Sequence, residues 1–196
     1  MQNIVEKMYK LLLLLSFTML IVNSNILYSQ KSSNYLDGYV FSLKAGYHDE
    51  DKAVNMDHIP KGFSADGTFE YHTGKNWYIG VNFDLSFGSD NYFNEQRSIV
   101  VSSYSPIVKY RYFFKNADMY IGMGIGASQV TINGNNTDKM LNLNLRAGFE
   151  FKLDKHFLAS FEAVYNEMME ANMDGGRTNR MAMMKIGLGY LFGVGK

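Results

Sequence analysis

The sequence has no cysteine among its 196 residues. Disulfides, thiolate metal sites and thiol nucleophiles are thereby excluded. It also lacks an excess of charge: 19 basic and 19 acidic side chains give a formal net charge of zero. Nothing in that balance points to a nucleic-acid partner. No apolar run reaches the roughly 20 residues that a membrane-spanning helix needs. The apolar stretch Leu11–Val22 has only twelve and follows Lys7 and Lys10. With its polar exit over Asn23–Ser29, it makes residues 1–29 a cleavable export signal, cut near Ser29–Gln30. Without a cysteine at that site, the expected mature chain is not a lipid-anchored lipoprotein.

What the sequence does have is alternation. From Leu141 to Leu153, Leu141, Leu143, Leu145, Ala147, Phe149, Phe151 and Leu153 fall on one side. Asn142, Asn144, Arg146, Gly148, Glu150 and Lys152 fall on the other. Period two predicts a β-strand with one apolar and one polar face. Its thirteen residues are about twice the usual soluble strand of roughly 5–6. A strand of that length, tilted by about 45°, crosses the apolar layer of a bilayer.

Seven further stretches repeat the pattern. Tyr39–Tyr47 sets Phe41, Leu43 and Ala45 against Ser42, Lys44 and Gly46. Phe63–His72 opposes Phe69 and Tyr71 to Asp66 and Glu70, and Trp77–Phe87 opposes Ile79, Val81 and Phe83 to Asn82 and Asp84. Ser98–Phe114 carries Lys109 and Arg111 on its polar side and contains Pro106, which removes a ladder donor and predicts a bulge or bend. Met119–Thr131 places Gly122, Gly124 and Gly126 on one face, which suits a narrow interior crowded by larger neighbours. The strand beginning at Phe157 carries Glu162, and the closing one, about Met184–Phe192, carries Lys185 and Gly187. Expected connections alternate in length. His48–Pro60, Gly88–Arg97, Asn133–Asp138 and Glu170–Asn179 are longer and polar, and the three between them span only a few residues. Long loops at one end and short turns at the other are the asymmetry of a transmembrane barrel.

The predicted fold is therefore all-β: an eight-stranded antiparallel up-and-down transmembrane β-barrel over residues 38–196. It follows the signal and a short lead, 30–37. A soluble barrel would turn its apolar face inward; two features argue for the inverse. Lys44, Lys109, Arg111, Arg146, Lys152 and Lys185 nearly balance Asp66, Glu70, Asp84, Glu150 and Glu162, as enclosed charges must. Aromatics such as Tyr71, Trp77, Tyr112, Phe157, Tyr190 and Phe192 sit at strand ends, where an amphipathic ring meets a membrane interface. These eleven charged residues are the expected interior polar network. Pointing Arg146 at lipid would cost about 2–4 kcal/mol.

The end of the chain, Lys185-Ile-Gly-Leu-Gly-Tyr-Leu-Phe192, resembles the C-terminal insertion signal of bacterial outer-membrane barrels. Lys185, Gly187, Tyr190 and Phe192 occupy its defining positions, although Gly193–Lys196 continue past it. The whole mature chain resembles the small OmpA/OmpX-type, porin-family barrels. That resemblance implies location in the outer membrane of a Gram-negative bacterium, with outer-membrane lipid and lipopolysaccharide around the barrel and the barrel-assembly machinery as partner during insertion.

Function is less legible. A lipid A-modifying enzyme would need a histidine near a serine and a carboxylate. His72 and His156 lie beside short turns; His48 and His58 fall in the first loop, where Ser89-Asp90 of the second loop could join them. No His-x-Ser element accompanies them. The His48–Asp51 and Asp57-His58 groups read as a solvated rim, because no fixed ligand spacing is present. Met168, Met169, Met181, Met183 and Met184 read as apolar fillers of upper strand ends rather than a soft-metal site. The expectation is a non-enzymatic barrel with no cofactor and no metal, its interior plugged, acting through external loops on an unknown ligand. A narrow porin-like channel is the alternative, and lipid A chemistry a distant third.

Overall fold

The computed structural model describes residues 38–51, 60–74, 76–92, 95–114, 117–134, 136–170 and 178–192. The expected signal and lead, residues 1–37, lie outside them, as does His58. Eight strands follow in order: β1 (Tyr39–Asp51), β2 (Gly62–Gly74), β3 (Trp77–Tyr92), β4 (Glu95–Phe113), β5 (Ala117–Ile132), β6 (Asn136–Lys152), β7 (Phe157–Glu170) and β8 (Thr178–Phe192). Each pairs antiparallel with its sequence neighbours, and β8 returns to β1 to close the barrel. Closure leaves the wall no bare edge, the condition for a sheet to reside in hydrocarbon.

The faces divide as the alternation requires. Ile125 and Phe83 are 58% and 57% exposed on the outside, whereas Arg146 and Glu162 are 4% and 0% exposed within. Outward aromatics form a lower belt: Trp77 meets Tyr110 edge-on at 4.9 Å, Tyr110 meets Tyr112 at 4.8 Å, and Tyr190 lies between Phe157 and Phe192 at 5.1 and 4.7 Å.

Three details depart from the sequence reading. Most of Gly88–Arg97 is paired strand, with β3 and β4 running in register out to Tyr92 opposite Glu95. Likewise β5 and β6 pair as far as Ile132 and Asn136, through a tight turn with Asn133 and Gly134 in the left-handed region. Length on this side is thus carried partly by protruding hairpins. Polar residues occupy both faces of the Gly88–Arg97 stretch, so the apolar alternation fades while the hydrogen-bonded ladder continues. Pro106 produces no bulge. Its pairing to β5 lapses at Ser105 and Pro106, but the register before and after is the same. The irregularity lies between His72 and Gly74 instead.

The interior is layered. Toward the short-turn end, Val40, Tyr78, Leu158 and Leu191 form a small apolar floor with Phe113 packed against it. Toward the other end, Ile99, Val101, Val130, Met140, Val164, Met168, Met181 and Met183 form an apolar ceiling. Charge is concentrated between the two.

Candidate functional site

The alternation places one polar side chain every second residue on the inner wall, and antiparallel register then decides which charges meet. Lys44 of β1 donates to Glu162 of β7 at 3.1 Å. The same Glu162 oxygen accepts the Tyr120 hydroxyl at 2.7 Å. Arg146 lies 3.6 Å from the other Glu162 oxygen and also donates to Asn82 at 3.0 Å and Asn144 at 3.2 Å. Lower down, Glu70 pairs with both Lys109 and Arg111, the latter at 2.7 Å, and Arg111 also pairs with Glu150. Lys109 approaches Glu162 at 3.9 Å and so joins the two groups. On the β1–β2–β3 side, Lys185 holds Asp66 at 2.8 Å and also pairs with Asp84.

All eleven residues singled out from the sequence lie on the inner wall, ten of them buried and Lys152 at the edge. The sequence reading missed a twelfth. Asp118 falls in the short connection between the Ser98–Phe114 and Met119–Thr131 stretches, yet it is the second residue of β5, fully buried, opposite Glu150 and 3.8 Å from Lys152. Its period with Tyr120 and Gly122 was the available signal. With Asp118 the network holds six cations and six anions, so the enclosed charge is balanced. Two aromatic rings line it as well: Arg111 stacks over Tyr78 at 4.3 Å, and Lys109 lies over Tyr120 at 4.5 Å. A cation held over a ring face is attracted by the ring quadrupole.

Glycine creates the room for these side chains. Gly122 faces Lys109 on β4 and Arg146 on β6. A Cβ there would sit 2.8 Å from the Lys109 Cγ and 3.1 Å from the Arg146 Cγ. At Gly148 a Cβ would come within 2.6 Å of the Tyr120 hydroxyl. The interior is filled at the level of single methyl groups.

The loop histidine reading needs correction. His48 is not in a solvated loop: it belongs to β1, points inward and is fully buried, its Nε2 bonded to the Pro60 carbonyl at 2.9 Å. Ser89 is exposed on the outer face of β3, so the wall itself separates the two. Asp49 pairs with Lys61 at 3.1 Å on the rim. His156 stacks on Tyr190 at 5.6 Å at the short-turn end. Among the described residues, no three His, Asp or Glu side chains are arranged to hold a metal ion. The insertion-signal positions divide between faces. Lys185 and Gly187 point inward, while Tyr190 and Phe192 lie in the lower aromatic belt.

A closed eight-stranded wall, apolar outside and ionic inside, with aromatic rings at its margin, defines a transmembrane barrel of the bacterial outer membrane. The family model for the outer membrane protein β-barrel domain matches residues 11–192, and the chain belongs to that family. It resides in the outer membrane of a Gram-negative bacterium. No curated protein matches it in sequence. Among solved structures, Neisserial surface protein A superposes with a TM-score of 0.65 at 13% identity, covering 79% of this chain and 97% of that one. OprG from Pseudomonas aeruginosa gives 0.55 at 14%, covering 81% and 98%. Ail, the attachment invasion locus protein of Yersinia pestis, gives 0.51 at 17%, covering 80% and 100%. At these identities the likeness is one of fold.

Proposed function

We propose that this barrel is a non-enzymatic interaction protein of the cell envelope, with a plugged lumen and its binding surface on the external rim. The observation that carries the reading is the filled interior: a balanced ionic layer between an apolar floor and an apolar ceiling. Eight strands enclose little more than their own side chains, so a solute path would require paired ions to separate. The protruding β3–β4 and β5–β6 hairpins then offer the surface for a ligand. Attachment, the task named for Ail, is a role that such a rim can serve. In this reading lipopolysaccharide surrounds the apolar belt, and the barrel-assembly machinery reads Lys185, Gly187, Tyr190 and Phe192 during insertion.

Conductance across a planar bilayer tests the proposal. The wild-type barrel is expected to stay silent, and Arg146→Ala, which removes one partner from each of Glu162 and Asn82, is expected to open brief conducting events. Steady wild-type conductance would replace this reading with that of a narrow channel for small solutes. A change in the lipid A mass profile on deleting the gene would replace it with an enzyme.

A further inference from the structure

The upper interior holds a combination of donors that plugging does not explain. His48 is buried and bonds the Pro60 carbonyl through Nε2 at 2.9 Å. A carbonyl oxygen only accepts, so Nε2 carries the proton and Nδ1 keeps its lone pair. That Nδ1 is buried and, among the described residues, has no hydrogen-bond partner. One ring nitrogen held by a carbonyl with the other left bare is how a protein presents histidine to a metal.

The register supplies soft neighbours. His48 stands opposite Met183 in the β1–β8 ladder, both side chains on the inner face. Met181 is the next inward residue along β8, and Met168 on β7 lies diagonally across from it, opposite Asn179. Met140 on β6 completes four buried thioethers in one packed cluster, its sulfur accepting from Asn179 at 3.7 Å. Methionines alone would be ordinary filler. A buried imidazole with a bare lone pair beside them is not. The charge environment is also favourable: Asp66 and Asp84 share the single ammonium of Lys185 just below, and Asp84, Lys185 and Asp49 are the charged groups that act on His48.

We infer that His48 Nδ1 and the thioethers of Met183, Met181 and Met168 form a binding site for a soft monovalent cation of the Cu(I) class. Neutral sulfur and imidazole donors select such ions over Mg2+ or Ca2+, which require oxygen. The site lies above the ionic layer and operates independently of whether the barrel conducts.

The test uses the mature barrel refolded in micelles with 13C-labelled methionine methyls, titrated with Ag(I) in chloride-free buffer as a redox-stable probe. One Ag(I) per barrel is expected to shift the methyl signals of Met183 and of Met181 or Met168. Those of the lipid-facing Met123 and Met184, 53% and 57% exposed, are expected to stay fixed. His48→Gln and Met183→Leu should each weaken binding at least tenfold. Shifts confined to Met123 and Met184, or no shift at all, would overturn the assignment in the wild-type protein alone, whatever the variants do. Equal response to Mg2+ at the same methyls would overturn it too.

Discussion

Asp66 and Asp84 stand directly opposite each other in the β2–β3 ladder, two carboxylates on one inner face bound to the same lysine. Like charges placed opposite each other destabilise a sheet, and Lys185 reverses that here. Lys185→Met is expected to cost about 3–5 kcal/mol, because removing one partner strands buried charge. Adding Asp66→Asn and Asp84→Asn to it should recover most of the loss. Urea unfolding of the refolded barrel measures both, and an unchanged midpoint for Lys185→Met would refute the pairing.

Gly122 and Gly67 make a matched contrast. Gly122 faces inward against Lys109 and Arg146; Gly67 faces outward, where a Cβ would meet only the Leu43 side chain at 3.6 Å. Gly122→Val is expected to cost about 1–3 kcal/mol through overpacking. Gly67→Ala should stay within about 0.5 kcal/mol of wild type. Heat-modifiable gel mobility ranks the two variants, and reversal of their order would contradict the assignment of faces.

Met123 lies midway along the outer face of β5, in the middle of the apolar belt. Met123→Arg should destabilise by about 2–4 kcal/mol in a bilayer, the midplane value for an exposed cation, while Gln129→Arg near the rim should cost about 0–1 kcal/mol. Vesicle-refolded protein is the material for this comparison. Equal costs at the two depths would contradict the membrane placement.

Asp154, in the turn between β6 and β7, accepts the backbone N–H groups of His156 at 2.6 Å and Phe157 at 2.8 Å. These bonds hold its carboxyl below the ordinary 3.8. The contribution to turn stability is therefore complete above pH 3.8 and lost as pH falls through the lower, folded value. Asp154→Ala should loosen the amides of His156 and Phe157 at neutral pH, with the difference from wild type shrinking in acid. Amide exchange against pH reads it directly; a carboxyl midpoint at or above 3.8 would exclude the cap.

Where lipid and enclosed ions impose opposite demands on alternate residues, the sequence was plain. Leu141–Leu153 and Trp77–Phe87 could be assigned face by face because each position answers to one solvent. Legibility fails where that contrast vanishes. The upper parts of β3 and β4 are polar on both faces, so Gly88–Arg97 read as loop although most of it pairs. In β4, Ile99 and Val101 point into the ceiling while Val100 points outward, and an apolar run on both faces shows no period. Asp118 was lost to its neighbours Lys115 and Asn116, whose composition suggests a turn. The position of His48 depended on how far β1 extends, and its charged surroundings pointed the other way.

The ionic partners are far apart along the chain: Lys44 and Glu162 by 118 positions, Lys185 and Asp66 by 119, Lys185 and Asp84 by 101. The β2–β3 hairpin, whose inner wall carries Asp66, Glu70 and Asp84 and, among the described residues, no buried cation, cannot neutralise itself. A chain cut short before β8 would lack Lys185, leaving Asp66 and Asp84 exposed to each other and two strand edges unzipped. The buried ions thus act as a checksum on synthesis, one that only a polypeptide translated to its last strand can satisfy.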